Sequence, residues 1–198
     1  MIIEIIGLPG SGKSTVAREI SKFRNWQVVS FEGKREILRF FISGLSKNPK
    51  VFLLGFFDAI KYAQTVSSFW NCYFVKYAKH QKALSLKSIN FVINEGLHQN
   101  LFSYSKRKFN KKYVRNFLKR KMMVDMLFLI NVDEKVLAER QLERELSRDK
   151  RVFSKDEYSN MRLVKEYLLH QGSEIEDFYI VNDNINSILS ITELQDKE

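Results

Sequence analysis

The most informative segment of the sequence is "GLPGSGKST", residues 7–15. It matches the pattern G-x-x-x-x-G-K-[ST], with Gly7, Gly12, Lys13 and Ser14 at the fixed positions. The apolar run "IIEII" before it predicts a short strand, and the residues after it, to about Ser21, predict a helix. A glycine-rich turn between a strand and a helix N-terminus is typical of a loop whose backbone amides bind phosphate.

The residue types in this loop suit ATP with Mg²⁺. Lys13 is expected to reach the β- and γ-phosphates, and Ser14 to place its hydroxyl on Mg²⁺. Thr15 is expected near the α-phosphate. An ordinary glycine-rich turn would leave the Lys-Ser pair unexplained. The loop residues predicted to bind the nucleotide are Gly7, Pro9, Gly10, Ser11, Gly12, Lys13, Ser14 and Thr15.

Four more apolar segments predict strands, and helical patterns lie between them. These segments are residues 26–31, 88–94, 124–132 and 178–182. Near-continuous apolar strands that alternate with helices predict an α/β protein with a parallel sheet covered on both faces. The chain of 198 residues is therefore expected to form one domain, 1–198, without internal repeats.

The composition bounds the environment and the partners. The formal charge of +10 favours anionic partners such as nucleotides, nucleic acid, acidic sugars or a lipid surface. Cys72 is the only cysteine, so no internal disulfide forms. The first strand leaves no room for a signal peptide, and the longest apolar run, "VFLLGFF", is far shorter than the roughly 20 residues of a membrane span. A cytoplasmic protein is expected.

Absent motifs narrow the class of phosphate-loop protein. The sequence has neither the N-K-x-D motif of GTPases nor the L-S-G-G-Q motif of ABC-type ATPases. With the loop and the order of its elements, it resembles the small-molecule kinases: nucleoside monophosphate kinases, nucleoside kinases, and shikimate- or gluconate-type kinases. The resemblance implies a three-layer fold with five parallel strands in the order 2-3-1-4-5. It also implies a helical acceptor-binding insertion between strands 2 and 3, here residues 33–87.

Two carboxylates follow predicted strands directly, where ligands bind in open α/β sheets. Glu32 closes "VVSFEG" after strand 2, and Glu95 closes "FVINEG" after strand 3. Phosphoryl transfer needs a carboxylate that orients the nucleophile and an acid that holds Mg²⁺. The resemblance implies that Glu32 lies on the acceptor side and that Glu95 holds the metal or acts as the base. Asn94 stands where such kinases commonly have Asp, so either Asn94 or Glu95 fills the Walker-B-like position.

A run of arginines follows the fourth strand. Asp133 is expected to cap a helix, on which Arg140, Arg144 and Arg148 share one face. This segment resembles the kinase lid, here residues 140–156, whose arginines neutralise the transferring phosphate. The alternative is a surface helix laced by glutamates. After the fifth strand, Asn182 and Asp183 correspond to the turn that borders adenine in the resembled kinases, although a simple helix cap is equally consistent.

Three other features remain open. A stripe of Phe52, Phe56, Ile60, Ala63, Trp70, Phe74 and Tyr77 predicts helical core, or alternatively a ligand-stacking surface. The segment 105–121 holds nine Lys or Arg and predicts an amphipathic helix with buried aromatics; its charges form either a solvated face or a surface for an anionic partner. The histidines show no metal-ligand spacing, and His98 is expected at the surface, although it could line the acceptor site.

These patterns together predict an ATP- and Mg²⁺-dependent phosphotransferase. Its catalytic candidates are Lys13, Glu95, Glu32, Arg140 and Arg144, and its metal-binding candidates are Ser14 and Glu95. The expected acceptor is a small metabolite that receives the phosphoryl group on a hydroxyl or a phosphate. It is a nucleoside, a nucleotide or a sugar-type compound, and an anionic or phosphorylated one is favoured. A polynucleotide 5′-hydroxyl kinase and a nucleotide-dependent switch that acts through a partner stay as alternatives. The sequence leaves the oligomeric state open.

Overall fold

The computed structural model describes residues 1–63, 65–86, 88–103, 110–118, 124–146, 155–171, 177–182 and 185–195. Helices and strands alternate along the chain. In order they are β1 (Ile2–Gly7), α1 (Lys13–Arg24), β2 (Gln27–Val28), α2 (Lys34–Lys47), α3 (Pro49–Tyr62), α4 (Val66–Phe69), a π-helix (Trp70–Val75), α5 (Lys76–Ser85), β3 (Phe91–Asn94), α6 (Asn100–Ser103), α7 (Lys111–Leu118), β4 (Met126–Asn131), α8 (Glu134–Leu146), α9 (Lys155–Gln171), β5 (Phe178–Asn182) and α10 (Ile185–Gln195).

The five strands form one parallel sheet in the order β2-β3-β1-β4-β5. The predicted fold class and strand order are therefore confirmed. β1 is central, and it pairs with β3 from Ile2 opposite Phe91 and with β4 from Ile3 opposite Met126. Ile3, Ile5 and Ile6 are fully buried, as expected for a strand covered on both faces. Because all strands run the same way, their carboxyl ends meet at one edge of the sheet.

The predicted bounds hold best for β5 and worst for β2. β5 spans Phe178–Asn182 as predicted, whereas β2 is only two residues long instead of six. β2 is an edge strand that pairs with β3 alone, and one further bond joins the Val29 N–H to the Val92 carbonyl before the chain leaves the sheet. Phe31 then packs against Phe40 of α2, with ring centroids 6.4 Å apart. Contact with α2 thus takes the place of strand pairing.

The segment between β2 and β3 is helical, and its stripe of aromatic residues is only partly core. Phe52 and Tyr77 are buried, with ring centroids 4.8 Å apart. Phe56 and Ile60 of the same stripe are 36% and 58% exposed, so the expectation of a core position is wrong for them. The reason is that α3 is apolar on nearly every side, and only one side, with Phe52 and Ala59, faces the protein.

The described part of the basic segment forms the short helix α7. Phe117 is 2% exposed and Val114 is 3% exposed, while Lys111, Lys112 and Arg115 point to solvent. The amphipathic pattern is therefore confirmed for residues 111–118, and residues 105–109 and 119–121 lie outside the described residues. No helix among the described residues is long and apolar enough to cross a membrane.

Candidate functional site

The glycine-rich segment forms a tight loop between β1 and α1. Gly12 adopts a left-handed conformation with φ of 85° immediately before the helix begins at Lys13. The Ser11 N–H donates to the Leu8 carbonyl at 3.1 Å, which closes the turn. No acidic residue occupies the first turn of α1. The helix N-terminus therefore presents its amides and its positive dipole end toward the carboxyl edge of the sheet, where an anion is favoured.

Lys13 folds back along the loop. Its Nζ donates to the Gly7 carbonyl at 3.1 Å and to the Leu8 carbonyl at 3.0 Å, and the side chain is 6% exposed. Beside it, the buried Ser11 Oγ has no hydrogen-bond partner among the described residues. A buried ammonium that donates to loop carbonyls, next to a hydroxyl without a partner among the described residues, suits a loop that binds phosphate oxygens.

Ser14 meets the end of β3. The Asn94 Nδ2 donates to Ser14 Oγ at 2.9 Å, and the buried Asn94 Oδ1 has no partner in the described part of the chain. Rotation of the carboxamide by half a turn would instead present its oxygen beside the hydroxyl. Hydroxyl and amide oxygens are hard ligands, so Ser14 and Asn94 fit a site for Mg²⁺ that retains several waters. The residue that contacts the loop serine is Asn94, one position before Glu95.

The two candidate carboxylates both lie at this edge but face solvent. Glu95 is exposed and has a φ of 58°, a left-handed conformation that is uncommon for residues other than glycine. Glu32 is exposed as well, and its N–H donates to the Glu36 carboxylate at 2.8 Å. Within the described residues, no group of three or more His, Cys, Asp or Glu could hold a metal ion. A metal here would therefore depend on single protein ligands together with phosphate and water.

Helix α8 brings an arginine to the phosphate loop. Arg140 Nη1 donates to the Gly10 carbonyl at 3.2 Å. Asp133 starts the helix, since its carboxylate accepts from the Lys135 N–H at 2.8 Å, which confirms the predicted cap. The described residues do not include the side chain of Arg144 or the segment 147–154, which contains Arg148. Of the predicted lid, only Arg140 can be placed at the site.

The predicted adenine-side turn is described only in part. Asn182 closes β5, and its Oδ1 accepts from Asn131 Nδ2 of β4 at 2.8 Å. Asp183 lies outside the described residues. The structure therefore places Asn182 at the carboxyl edge of the sheet, on the side of β1 opposite to Asn94.

Sequence reasoning missed Gln99, which holds the first residue of the phosphate loop. Its Oε1 accepts from the Gly7 N–H at 3.1 Å, and its Nε2 donates to the Gly7 carbonyl at 3.0 Å. Both bonds are buried. Gln99 thus joins the chain after β3 to the loop after β1, across 92 residues of sequence. Nothing in the sequence around a single glutamine signals this contact.

Beneath Gln99 lies a buried carboxylate, Glu4. It accepts from the backbone N–H groups of His98 and Gln99 at 2.7 and 3.2 Å and lies 2.7 Å from His98 Nδ1. His98 is 4% exposed, so its expected surface position is wrong. His80 Nε2 lies 3.1 Å from Glu4 Oε2 and accepts from the Leu97 N–H at 3.1 Å.

The charges in this cluster are strongly perturbed. Burial alone would raise the pKa of Glu4, but His98, and then His80, hold it well below its usual range. Burial lowers the pKa of His80, against the hydrogen bond and the charge of Glu4, which favours a neutral imidazole. Glu4 was detectable in the sequence, because an acid inside the apolar run "IIEII" must be buried with partners.

Gly96 is required by close packing over this cluster. A Cβ at this position would lie 2.6 Å from Glu4 Cδ and 2.7 Å from His80 Nε2. Gly96 is buried and brings the backbone down onto Glu4, so that the N–H groups of His98 and Gln99 reach the carboxylate.

Comparisons with known proteins agree with this architecture. No protein-family model matches the sequence, and the comparison with curated proteins gives no match. Among solved structures, a deoxyadenosine kinase from M. mycoides with bound dATP matches with a TM-score of 0.52 and 16% identity, over 100% of both chains. The chain has the fold of the phosphate-loop small-molecule kinases. A second match with this kinase fold is the YorR protein of Bacillus subtilis in complex with phosphorylated GDP, with a TM-score of 0.53 and 15% identity over 100% of this chain and 99% of that one.

Proposed function

We propose that the protein is an ATP- and Mg²⁺-dependent phosphotransferase that moves the γ-phosphoryl group to a small metabolite. The observation that carries this proposal is the contact between Asn94 and Ser14 Oγ beside the Lys13 loop. It unites a loop for the phosphates, a hydroxyl for the metal and the end of β3 at one point of the sheet edge. The kinase fold of the structural neighbours supports the same reaction class.

The loop residues would bind and orient the triphosphate. Lys13 would leave the Gly7 and Leu8 carbonyls and donate to the β- and γ-phosphate oxygens, while Gln99 keeps the Gly7 carbonyl satisfied. Arg140 donates to the Gly10 carbonyl of the phosphate loop, and from there it would contact the same phosphates. It would neutralise the charge that develops on the transferring group. Ser14 and Asn94 would hold the metal, which when bound would neutralise charge on the phosphates.

The acceptor would enter from the side of β2 and the insertion 33–87. Glu32 and Glu95 follow the two neighbouring strands there. Either carboxylate would accept the proton of an attacking hydroxyl, whereas the phosphate of a nucleotide acceptor would attack as an oxyanion without a base. Glu95 is the nearer to the metal side, because it follows Asn94 directly. We propose a nucleoside, nucleotide or sugar-type acceptor; the first two classes are also supported by the deoxyadenosine kinase and the YorR complex.

Acceptor-dependent ADP release tests this proposal. Purified protein is mixed with ATP, Mg²⁺ and pools of nucleosides, nucleotides and sugar derivatives, and ADP is measured with and without each pool. One pool should raise the rate in the wild type and not in Lys13→Met. Lys22→Met, which changes an exposed lysine in the last turn of α1, is the matched control and should behave as the wild type. A slow rate that no pool raises would contradict the kinase and favour a nucleotide-dependent switch.

The basic helix α7 is the reason to test a polynucleotide as an alternative acceptor. Lys111, Lys112 and Arg115 form an exposed row that a polynucleotide could contact. A polynucleotide 5′-hydroxyl kinase would lose substrate affinity steeply between low and physiological salt, because bound counterions are released from the strand. A small neutral acceptor would show little salt dependence, and this result would remove nucleic acid from consideration.

A further inference from the structure

Two lysines of α5 are held by uncharged oxygens near the end of β3. Lys76 is 2% exposed, and its Nζ donates to Asn100 Oδ1 at 2.7 Å and to Ser103 Oγ at 3.0 Å. Lys79 lies one turn further along and is half-buried. Its Nζ donates to the Asn94 carbonyl at 2.6 Å. Each ammonium is therefore hydrogen-bonded, but by groups that carry no negative charge.

Neither ammonium has a carboxylate within 4.0 Å among the described residues. Lys82, one turn further on the same helix, does: its Nζ lies 2.6 Å from Glu36. Glu4 is already bonded to two histidines, and Glu95 is exposed to solvent. Lys76 and Lys79 are therefore a pair of ammonium groups that no carboxylate contacts among the described residues.

This pair of lysines lies beside the proposed reaction centre. Lys79 contacts the Asn94 carbonyl, and the Asn94 side chain contacts Ser14 of the phosphate loop. Lys76 is one helical turn further from the loop, and its partner Ser103 is exposed. The two ammonium groups therefore lie between the exposed Ser103 and the metal side of the phosphate loop, on the side of β1 where the acceptor would enter.

A buried cation without a counter-ion is unfavourable, and an anion that reaches it restores the balance. We propose that Lys76 and Lys79 bind an oxyanion carried by the acceptor, a phosphate or a carboxylate. This inference rests on the proposed phosphotransferase and narrows its substrate class to anionic metabolites. A nucleoside 5′-monophosphate would satisfy the site, whereas a neutral nucleoside would leave both charges uncompensated.

Anion binding to the nucleotide-loaded protein tests the proposal without knowledge of the acceptor. Protein is saturated with a non-hydrolysable ATP analogue and Mg²⁺ to fill the phosphate loop, and inorganic phosphate or acetate is then titrated while the melting temperature is followed. The wild type should be stabilised by at least one of the two anions. Which anion stabilises more distinguishes a phosphate site from a carboxylate site.

The variants locate the anion. Lys76→Met and Lys79→Met should each lower the affinity for the stabilising anion at least tenfold. Lys22→Met should leave this affinity unchanged. Lys79→Gln removes the charge but keeps a donor for the Asn94 carbonyl, so it separates anion binding from folding. Unaltered anion affinity in Lys76→Met and Lys79→Gln would overturn the proposal.

The same titrations separate this inference from the proposed function. A wild type that binds the nucleotide analogue but neither anion would overturn the oxyanion site and leave the phosphotransferase standing. A wild type that fails to bind the analogue would overturn the proposed function itself. In turnover, AMP and TMP should be accepted in preference to adenosine and thymidine, and the opposite preference would contradict the anionic acceptor.

Discussion

Replacement of Gln99 by methionine tests how the phosphate loop is held. Gln99→Met keeps the length of the side chain but removes both buried hydrogen bonds to Gly7, at 3.0 and 3.1 Å. Loss of the bond to the Gly7 carbonyl costs about 0.5–1.5 kcal/mol, and the buried Gly7 N–H left without an acceptor costs about 1–3 kcal/mol. The expected loss in the free energy of unfolding is therefore about 2–4 kcal/mol.

A second effect falls on the nucleotide. In the wild type the Gly7 carbonyl accepts from both Gln99 and Lys13, so Lys13 can move to the phosphates without leaving it unpaired. In Gln99→Met that movement would leave the carbonyl without a partner. A cost of about 1 kcal/mol corresponds to roughly fivefold weaker binding of an ATP analogue.

Two measurements check these values. Urea unfolding gives the change in stability as a shift of the midpoint, provided that the slope of the free energy with urea is unchanged. Titration with a fluorescent ATP analogue gives the affinity for the nucleotide. Gln81→Met is the matched control, since Gln81 is likewise buried, at 2% exposure against 7% for Gln99, but lies on α5; it should leave the nucleotide affinity unchanged. Wild-type midpoint and wild-type affinity in Gln99→Met would refute the role assigned to this side chain.

Three further predictions concern the buried cluster around Glu4 and the arginine at the phosphate loop, Arg140. Gly96→Ala should lower the free energy of unfolding by about 1–3 kcal/mol, because the new Cβ would lie 2.6 Å from Glu4 Cδ; an unchanged urea midpoint would contradict this. Because burial lowers the pKa of His80, the unfolded chain takes up a proton that the folded protein does not. Below about pH 6.5, stability should therefore fall by up to about 1.4 kcal/mol per pH unit, and an equal slope in His80→Gln would argue against this cause. The loss from Glu4, whose pKa is lowered, should come only below about pH 4.5. Arg140→Met should reduce kcat about 100-fold with little change in nucleotide affinity, and a kcat within twofold of wild type would make Arg140 a structural residue.

The features that the sequence predicted are those with a local signal. The G-x-x-x-x-G-K-[ST] pattern spans eight residues and apolar runs mark each strand, so the loop and the strands, β5 most accurately, could be inferred. The sheet order was implied by the resemblance to small-molecule kinases. β2 was predicted too long because the apolar pattern continues to Phe31, beyond the end of the strand at Val28. Phe31 is apolar because it packs on α2, and it does not pair in the sheet. Periodicity reports burial, and it does not distinguish strand pairing from packing on a helix.

The features that the sequence did not predict depend on contacts between distant segments. Glu4 meets His80 and His98 across 76 and 94 residues, and each histidine alone suggests a surface position. Lys76 was hidden by its type, because a lysine on an amphipathic helix is ordinarily assigned to the solvent side. Only the fold brings Asn100 and Ser103 to its ammonium group and shows that no carboxylate accompanies them among the described residues.

The most direct test of the proposed phosphotransferase activity follows the phosphoryl group itself. ATP labelled at the γ-phosphate is incubated with Mg²⁺, a metabolite extract and either wild-type protein, Lys13→Met or Lys22→Met, and the labelled products are separated. The label should enter a metabolite with the wild type and with Lys22→Met, and this transfer should be lost in Lys13→Met. Label that appears only as inorganic phosphate, or equally with Lys13→Met, would contradict the proposed phosphotransferase.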